Sequence, residues 1–258
     1  MIFETHAHYD DEAFDIDREE LLAKLPKQGI EYVVNVSSEI SNVDKTIALT
    51  EKYPYIYGAI GIHPDNTKEL NEERFSWLKE KAKHPKCVAI GEVGLDYYWD
   101  STDRDIQKTW FARQMELARE LKLPLVIHSR DAANDTYHMM KESKADEMGA
   151  IIHCFGYGIE QAKLYLQMGF YLGIGGVVTF TNGRKLKEVV AYAPLSQLVL
   201  ETDCPYLTPV PNRGKRNSSL YLPYVVKEIA RLKNIDEKTV IQITSENAKK
   251  FYGIKQVK

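Results

Sequence analysis

The feature that most constrains the fold is a regular alternation of short apolar segments with amphipathic segments of helical period. Eight segments rich in Val, Ile and Leu predict strands, and the stretches between them carry apolar residues three or four positions apart, as helices do. Such alternation predicts a parallel sheet. Eight strands within about 250 residues favour a closed (β/α)₈ barrel formed by one domain, residues 1–258. The predicted strands are 2–5, 30–36, 57–62, 87–91, 125–127, 150–152, 170–174 and 198–200.

An open, doubly wound sheet is the main alternative architecture. Its first strand would be followed by the glycine-rich turn that binds dinucleotides, and the chain has Thr5-His6-Ala7-His8 there instead. The barrel is therefore the better prediction.

The overall composition excludes several classes of protein. The net charge of -3 gives the molecule no overall attraction to nucleic acid or to an anionic membrane. Any such contact would need a local basic patch or bound metal. We expect no signal peptide, because the first residues lack a basic stretch followed by an apolar one, and we expect no membrane span, because no apolar run is long enough. The three cysteines lack metal-site or disulfide spacing, which is typical of a reducing compartment. We expect a cytoplasmic protein with no obligate protein partner.

Ionisable residues collect where the predicted strands end. In a barrel these ends form the face on which active sites are built. His6 and His8 are two residues apart, so both imidazoles point to the same side of an extended chain and can reach one metal ion. The residues at these strand ends are His6, His8, His63, Glu92, His128, His153 and Asp203.

This donor set exceeds what one tetrahedral ion needs and predicts two ions. Glu92 is the natural bridge, because it follows the fourth strand, which lies between the ligands of the first and fifth strands around the ring. We expect His6, His8 and Asp203 to bind the first ion, and His128 and His153 the second. Histidine-rich ligation suits Zn, Mn, Co or Ni, and the carboxylates keep Mg possible.

Glu201 is two residues before Asp203, so in an extended strand both side chains would face the barrel interior. A buried carboxylate needs a partner. We predict that Glu201 is a catalytic acid/base that orients or deprotonates the metal-bound water, with Asp203 beside it as ligand. The alternative is a structural carboxylate bonded to backbone or to Arg130.

Several motifs together resemble the TatD family of metal-dependent deoxyribonucleases. They run in order over nearly the whole chain and are Thr5-His6-Ala7-His8, Gly61-Ile62-His63-Pro64, Gly91-Glu92-Val93-Gly94-Leu95-Asp96-Tyr97, His128-Ser129-Arg130, His153-Cys154-Phe155, Glu201-Thr202-Asp203-Cys204-Pro205, Arg213-Gly214-Lys215-Arg216-Asn217 and Glu246-Asn247. The resemblance implies a barrel hydrolase with one or two divalent ions. The ligands it implies are His6, His8, Glu92, His128, His153 and Asp203. It also implies phosphodiester cleavage in DNA, often as a 3′-to-5′ exonuclease, with some members acting on tRNA-linked esters.

The same motifs and the rim loops predict substrate contacts. The loop after the eighth strand adds three cations to an otherwise acidic protein, although a solvated charge run is the alternative. The predicted substrate-binding residues are His63, Tyr97, Arg130, Arg213, Lys215, Arg216 and Asn217. One departure from the family pattern is Ser218-Ser219 in place of Glu-Pro, and we expect these serines to cap the next helix.

Three functions are compatible with these residues. The leading one is a metal-dependent phosphodiesterase acting on single-stranded DNA or DNA ends. A metal-dependent amidohydrolase or esterase for a lactone, an amide or a tRNA-linked ester is the second, but many such barrels need a modified lysine where this chain has Glu92. A non-enzymatic metal-binding or scaffold protein is the third, and nothing in the sequence favours it.

Overall fold

The computed structural model describes residues 1–99 and 101–254. Within them eight parallel strands form one sheet in the order β1 to β8, so each strand pairs with its neighbours in sequence. The strands are β1 (Ile2–Ala7), β2 (Ile30–Val36), β3 (Ile56–Ile60), β4 (Cys87–Asp96), β5 (Leu125–Arg130), β6 (Ala150–Ile152), β7 (Tyr171–Ile174) and β8 (Leu198–Leu200).

Helices connect consecutive strands, as parallel pairing requires. Side chains fix several of their starts: Asn71, Asp103 and Asp236 each accept a hydrogen bond from a backbone N–H in the first helical turn. The helices in the described part of the chain are α1 (Arg18–Lys24), α2 (Ile40–Lys52), α3 (Glu72–Ala82), α4 (Arg104–Leu121), α5 (Ala133–Glu142), α6 (Ile159–Gln167), α7 (Arg184–Tyr192), α8 (Leu222–Lys233) and α9 (Glu237–Tyr252).

The barrel closes between β8 and β1 just beyond the end of β8. Ala7 and Cys204 form an isolated parallel bridge. Next to it, the His8 N–H donates to the Cys204 carbonyl at 2.9 Å and the Asp203 N–H donates to the His6 carbonyl at 3.0 Å. Closure therefore brings the histidine pair of β1 directly beside Asp203.

Alternate residues of the strands form two separate apolar clusters. Val126 of β5 and Ile151 of β6 belong to a smaller cluster that packs against α9, where the ring of Tyr252 stacks on Phe3. Their chain neighbours pack in the larger cluster shared with the surrounding helices. Side chains two apart on a strand share a face, and the face that packs in the larger cluster meets the surrounding helices. The smaller cluster therefore lies in the barrel interior.

The ligand candidates continue this interior face. His128 is two residues after Val126, so it lies on the same side of β5, at the carboxyl end. The same spacing relates His153 to Ile151. The barrel interior is thus apolar at mid-height and carries ionisable groups at its upper rim.

The predicted barrel is confirmed, and β2, β6 and β8 begin and end where the sequence predicts. The largest difference is β4, predicted to end at Gly91 but continuing to Asp96. Each residue of this extension is buried, because the strand runs on into the metal-ligand cluster. None of the helices in the described ranges has the length and apolar character required to cross a membrane.

Candidate metal centre

The first group of donors comes from β1 and the turn after β8. The Nε2 atoms of His6 and His8 are 3.1 Å apart, and Asp203 Oδ1 lies 3.8 and 3.3 Å from them. Glu92 Oε2 lies 3.4 Å from the same atom of His6 and 3.7 Å from that of His8. Ligands about 2.0–2.2 Å from a tetrahedral ion are separated by about 3.3–3.6 Å. The observed separations of 3.1–3.8 Å lie close to this range, so these four residues could hold one such ion.

The other oxygen of Glu92 faces a second group of donors. Oε1 lies 2.7 Å from His128 Nδ1 and 2.6 Å from His153 Nε2, and these two nitrogens are 3.2 Å apart. His63 Nε2 is 3.8 Å from the same oxygen. Glu92 thus presents one oxygen to each group and could contribute one oxygen to each of two ions.

Electrostatics show how closely these groups interact. Burial alone would lower the pKa of His8 and of His128. Asp203 outweighs burial and raises the pKa of His8 to about 10, and Asp96 and Glu92 raise that of His128 to about 9. Burial opposes ionisation of Glu92, but His153, His128 and His6 hold its pKa well below the usual range. In the metal-free protein, protons on imidazoles therefore supply the positive charge that divalent ions would supply.

His6 and His63 stay neutral in this setting. Burial and the neighbouring His153 lower the pKa of His6 to about 4. Burial and the neighbouring His128 lower the pKa of His63 to about 3. A neutral imidazole is the form that binds metal.

The cluster also meets a test of fit to metal. The nitrogens that face the centre, Nε2 of His6, His8 and His153 and Nδ1 of His128, each lie within 3.8 Å of a carboxylate oxygen of Glu92 or Asp203. So many converging polar groups are costly to bury without compensation. Two divalent ions would use the nitrogen and oxygen lone pairs that face the centre of the cluster.

Asp96 holds His128 from behind, a role that the sequence analysis missed. Its Oδ2 is 2.9 Å from His128 Nε2, which leaves Nδ1 directed at Glu92. Such carboxylate–histidine pairs fix the tautomer and orientation of a metal ligand. Asp96 is four residues after Glu92, and a longer β4 would have placed both on one face. For His8, the Val36 carbonyl occupies the equivalent position, 2.8 Å from Nδ1.

Glu4 is a second residue that the sequence analysis missed. It is fully buried and accepts hydrogen bonds from the Thr202 N–H and hydroxyl at 2.9 and 2.7 Å. Burial raises the pKa of Glu4 to about 7. The Ser219 hydroxyl donates to it at 2.9 Å. The predicted helix cap is therefore wrong: Ser218 makes no side-chain cap bond, and Ser219 helps Glu4 to join β1 to the Asp203 turn.

Glu201 is fully buried and belongs to one group of possible metal donors with His6 and His153, but the extended strand on which its predicted position rests is absent. β8 ends at Leu200 and Asp203 has a φ of 55°, so the chain is not extended through both carboxylates. Glu201 accepts a hydrogen bond from the Cys154 N–H and lies 4.0 Å from His153 Nδ1, whereas Nε2 of that ring faces Glu92. The imidazole thus stands between Glu201 and the Glu92 side of the cluster. This position favours an orienting role toward His153.

Gly173 makes room for that carboxylate. A Cβ at this position of β7 would lie 2.2 Å from Glu201 Oε2. The carboxyl group is therefore tightly enclosed. Its burial raises the pKa of Glu201 to about 8.

The predicted substrate contacts divide into three groups. Arg130 is exposed at the rim, and Tyr97 is partly buried, with its hydroxyl donating to Asp135 at 2.7 Å. His63 lies among the metal-competent donors, in one group with Glu92 and His128, although the sequence analysis placed it on the substrate side.

The loop after β8 makes up the rest. Lys215 is exposed, and the Arg213 guanidinium lies 3.9 Å from the Phe180 ring centroid. Arg216 is bound by Asp17 through two contacts of 2.7 and 2.6 Å, and Asn217 is fully buried. The Asn217 amide donates to the Thr202 and Tyr206 carbonyls, so the structure assigns this residue to loop packing rather than to substrate contact.

Comparisons with known proteins find relatives over nearly the whole chain. The family model described as TatD related DNase matches residues 3–253. A Bacillus subtilis (strain 168) protein named "Uncharacterized metal-dependent hydrolase YabD" is 44% identical over 98% of this chain and 100% of its own. A Rahnella sp. (strain Y9602) protein named "3'-5' ssDNA/RNA exonuclease TatD" is 30% identical over 98% of both chains.

Solved structures share the barrel. The Escherichia coli K12 TatD homologue YJJV superposes with a TM-score of 0.93 at 26% identity, over 98% of both chains. An Escherichia coli phosphotriesterase homology protein has the same fold at 11% identity, with a TM-score of 0.72 over 97% of this chain and 98% of its own. The barrel, the donor cluster and the relatives lead to one conclusion: the chain belongs to the TatD family of metal-dependent hydrolases.

Proposed function

We propose that the protein hydrolyses phosphodiester bonds of DNA, as a 3′-to-5′ exonuclease acting on single-stranded DNA or DNA ends. The observation that carries this proposal is the pair of donor groups sharing Glu92, each oxygen of which lies within 3.8 Å of its own set of imidazole nitrogens. Two ions about 3.5–4 Å apart are typical of phosphatases and nucleases. The name of the Rahnella relative supports the choice of nucleic acid as substrate.

Bound divalent ions would supply an activated water and charge neutralisation for the phosphoryl oxygens. The chain's own residues hold the centre in place. Asp96 keeps the Nδ1 atom of His128 available, and Glu4 connects the β1 histidines to the turn that carries Asp203. Such support preserves the geometry of the reacting groups, since small displacements of reacting groups slow catalysis strongly.

Cations at the rim suit a polyanionic substrate. Arg130 is exposed at the end of β5, and Arg213 and Lys215 are exposed in the loop after β8. Arg216 is already paired with Asp17, so it has less charge to offer a phosphate. We rank Lys215 and Arg213 above Arg216 as phosphate contacts.

The test is metal-free protein reconstituted with Mg, Mn or Zn and assayed on 3′- and 5′-end-labelled single-stranded DNA beside a panel of lactones and amides. Chelation should abolish cleavage, and the added ion should restore it. Stepwise shortening from the 3′ end is the expected product pattern. Hydrolysis of the lactones with intact DNA would instead establish the amidohydrolase alternative.

A further inference from the structure

Two adjacent aromatic side chains are exposed where β4 ends. Tyr98 is 53% exposed and Trp99 is 62% exposed, and their rings meet edge to face with centroids 5.0 Å apart. The other two tryptophans, Trp77 and Trp110, are partly buried and pack against the core. Exposing this much aromatic surface forgoes the stabilisation that burial would give, and a ligand covering the pair would recover it.

A cation lies against the same two rings. The Arg130 guanidinium carbon is 3.8 Å from the Tyr98 centroid and 5.5 Å from the Trp99 centroid. Exposed aromatic faces beside an arginine are how proteins hold unpaired nucleic acid: bases stack on the rings and the cation attracts the backbone.

The aromatic pair is tied to the metal centre through one residue. Asp96 Oδ1 accepts the N–H groups of Tyr98 and Trp99 at 2.8 and 3.2 Å, and its Oδ2 is 2.9 Å from His128 Nε2. Arg130 is only two residues after His128 on β5. A base held by this pair would therefore lie beside the phosphate that reaches the ions.

We propose that Tyr98, Trp99 and Arg130 form a stacking subsite for an unpaired nucleobase next to the scissile phosphate. The subsite deepens the proposed nuclease function and rests on it. It predicts a preference for single-stranded over blunt duplex ends, because bases in a duplex are already stacked and paired. It also predicts tolerance of base sequence, because every base has a flat face.

The first experiment measures binding without cleavage. Metal-loaded protein is titrated into dye-labelled phosphorothioate oligothymidylate, which resists hydrolysis, and anisotropy gives Kd. The Trp99→Ala change should raise Kd at least about fivefold, the lower end of what one stacked base contributes. On an oligomer with the same backbone but abasic sugars, the change should have little effect, because no base is present to stack. Trp99→Phe should retain most of the affinity.

Tyr192→Ala is the matched control. Tyr192 is also exposed, at 52%, but it ends α7 and therefore lies at the opposite end of the barrel from the metal centre. Its removal should leave Kd unchanged for both oligomers. Equal effects of Trp99→Ala on the base-bearing and abasic oligomers would refute stacking, as would no effect on either.

A second experiment separates this inference from the nuclease proposal. On cleavable single-stranded DNA, Trp99→Ala should raise KM by a similar factor with little change in kcat. Base-dependent binding without cleavage of any oligonucleotide would refute the nuclease and retain the stacking subsite. Cleavage with the same KM in wild type and Trp99→Ala would retain the nuclease and refute the subsite. If the wild-type protein binds no oligomer, the subsite is refuted outright.

Discussion

Replacing Asp96 by Asn should selectively weaken the second metal position. His128 must keep the proton on Nε2 so that the lone pair of Nδ1 can bind an ion, and Asp96 Oδ2 accepts that proton at 2.9 Å. Asparagine retains an oxygen for the N–H groups of Tyr98 and Trp99. It presents an N–H₂ donor to Nε2, however, which favours the wrong tautomer of His128.

The magnitude follows from the contact that is lost. Removal of a carboxylate behind a histidine ligand typically costs 10–100-fold in metal affinity or activity. That range corresponds to about 1.4–2.7 kcal/mol, in agreement with the roughly 1.5–3 kcal/mol for a hydrogen bond to a charged group. Because His6, His8 and Asp203 make no contact with Asp96, the first ion should bind as in the wild type.

Isothermal titration of metal-free protein with Zn or Mn should resolve the two positions, and the thermal unfolding midpoint would verify that the variant folds. Asp135→Asn is the matched control. Asp135 is a carboxylate on the same rim that bonds the Tyr97 hydroxyl and Lys108 but no ligand histidine. Wild-type affinity at both positions in Asp96→Asn, or a loss confined to the first position, would refute the tautomer argument.

Three further predictions follow from the same geometry. Glu201→Gln should lower the occupancy of the second metal position, because the carboxylate lies behind His153. Unchanged metal content together with a hydrolysis rate at least roughly a hundredfold slower would instead support an acid/base role for Glu201. Metal affinity should increase as the pH rises to about 9–10. The pKa values of His128 and His8 are raised to about 9 and 10 in the metal-free protein, so at lower pH protons compete with the ions for these imidazoles. Metal titrations at several pH values measure this, and a pH-independent affinity would contradict it. Lys215→Ala should reduce the salt dependence of DNA binding by about one unit of log–log slope, whereas Arg216→Ala should change it less. Equal slopes in the wild type and Lys215→Ala would favour the alternative that the loop is a solvated charge run.

The sequence by itself determined the architecture and the composition of the site. Apolar periodicity is a local property, so strands such as β6 and β8 could be located from a few consecutive residues. The barrel rule then placed every strand end on one face, which brought His6, Glu92 and His128 together before any distance was known.

The tertiary structure decided which atoms face one another. Whether Glu201 and Asp203 share one face depended on the backbone turning after Leu200, and no periodic pattern encodes that turn. The roles of Asp96 and Glu4 required contacts with residues 32 and 198 positions away. Orientation and burial of single side chains arise from packing between distant segments, whereas a sequence pattern records only the neighbours along the chain.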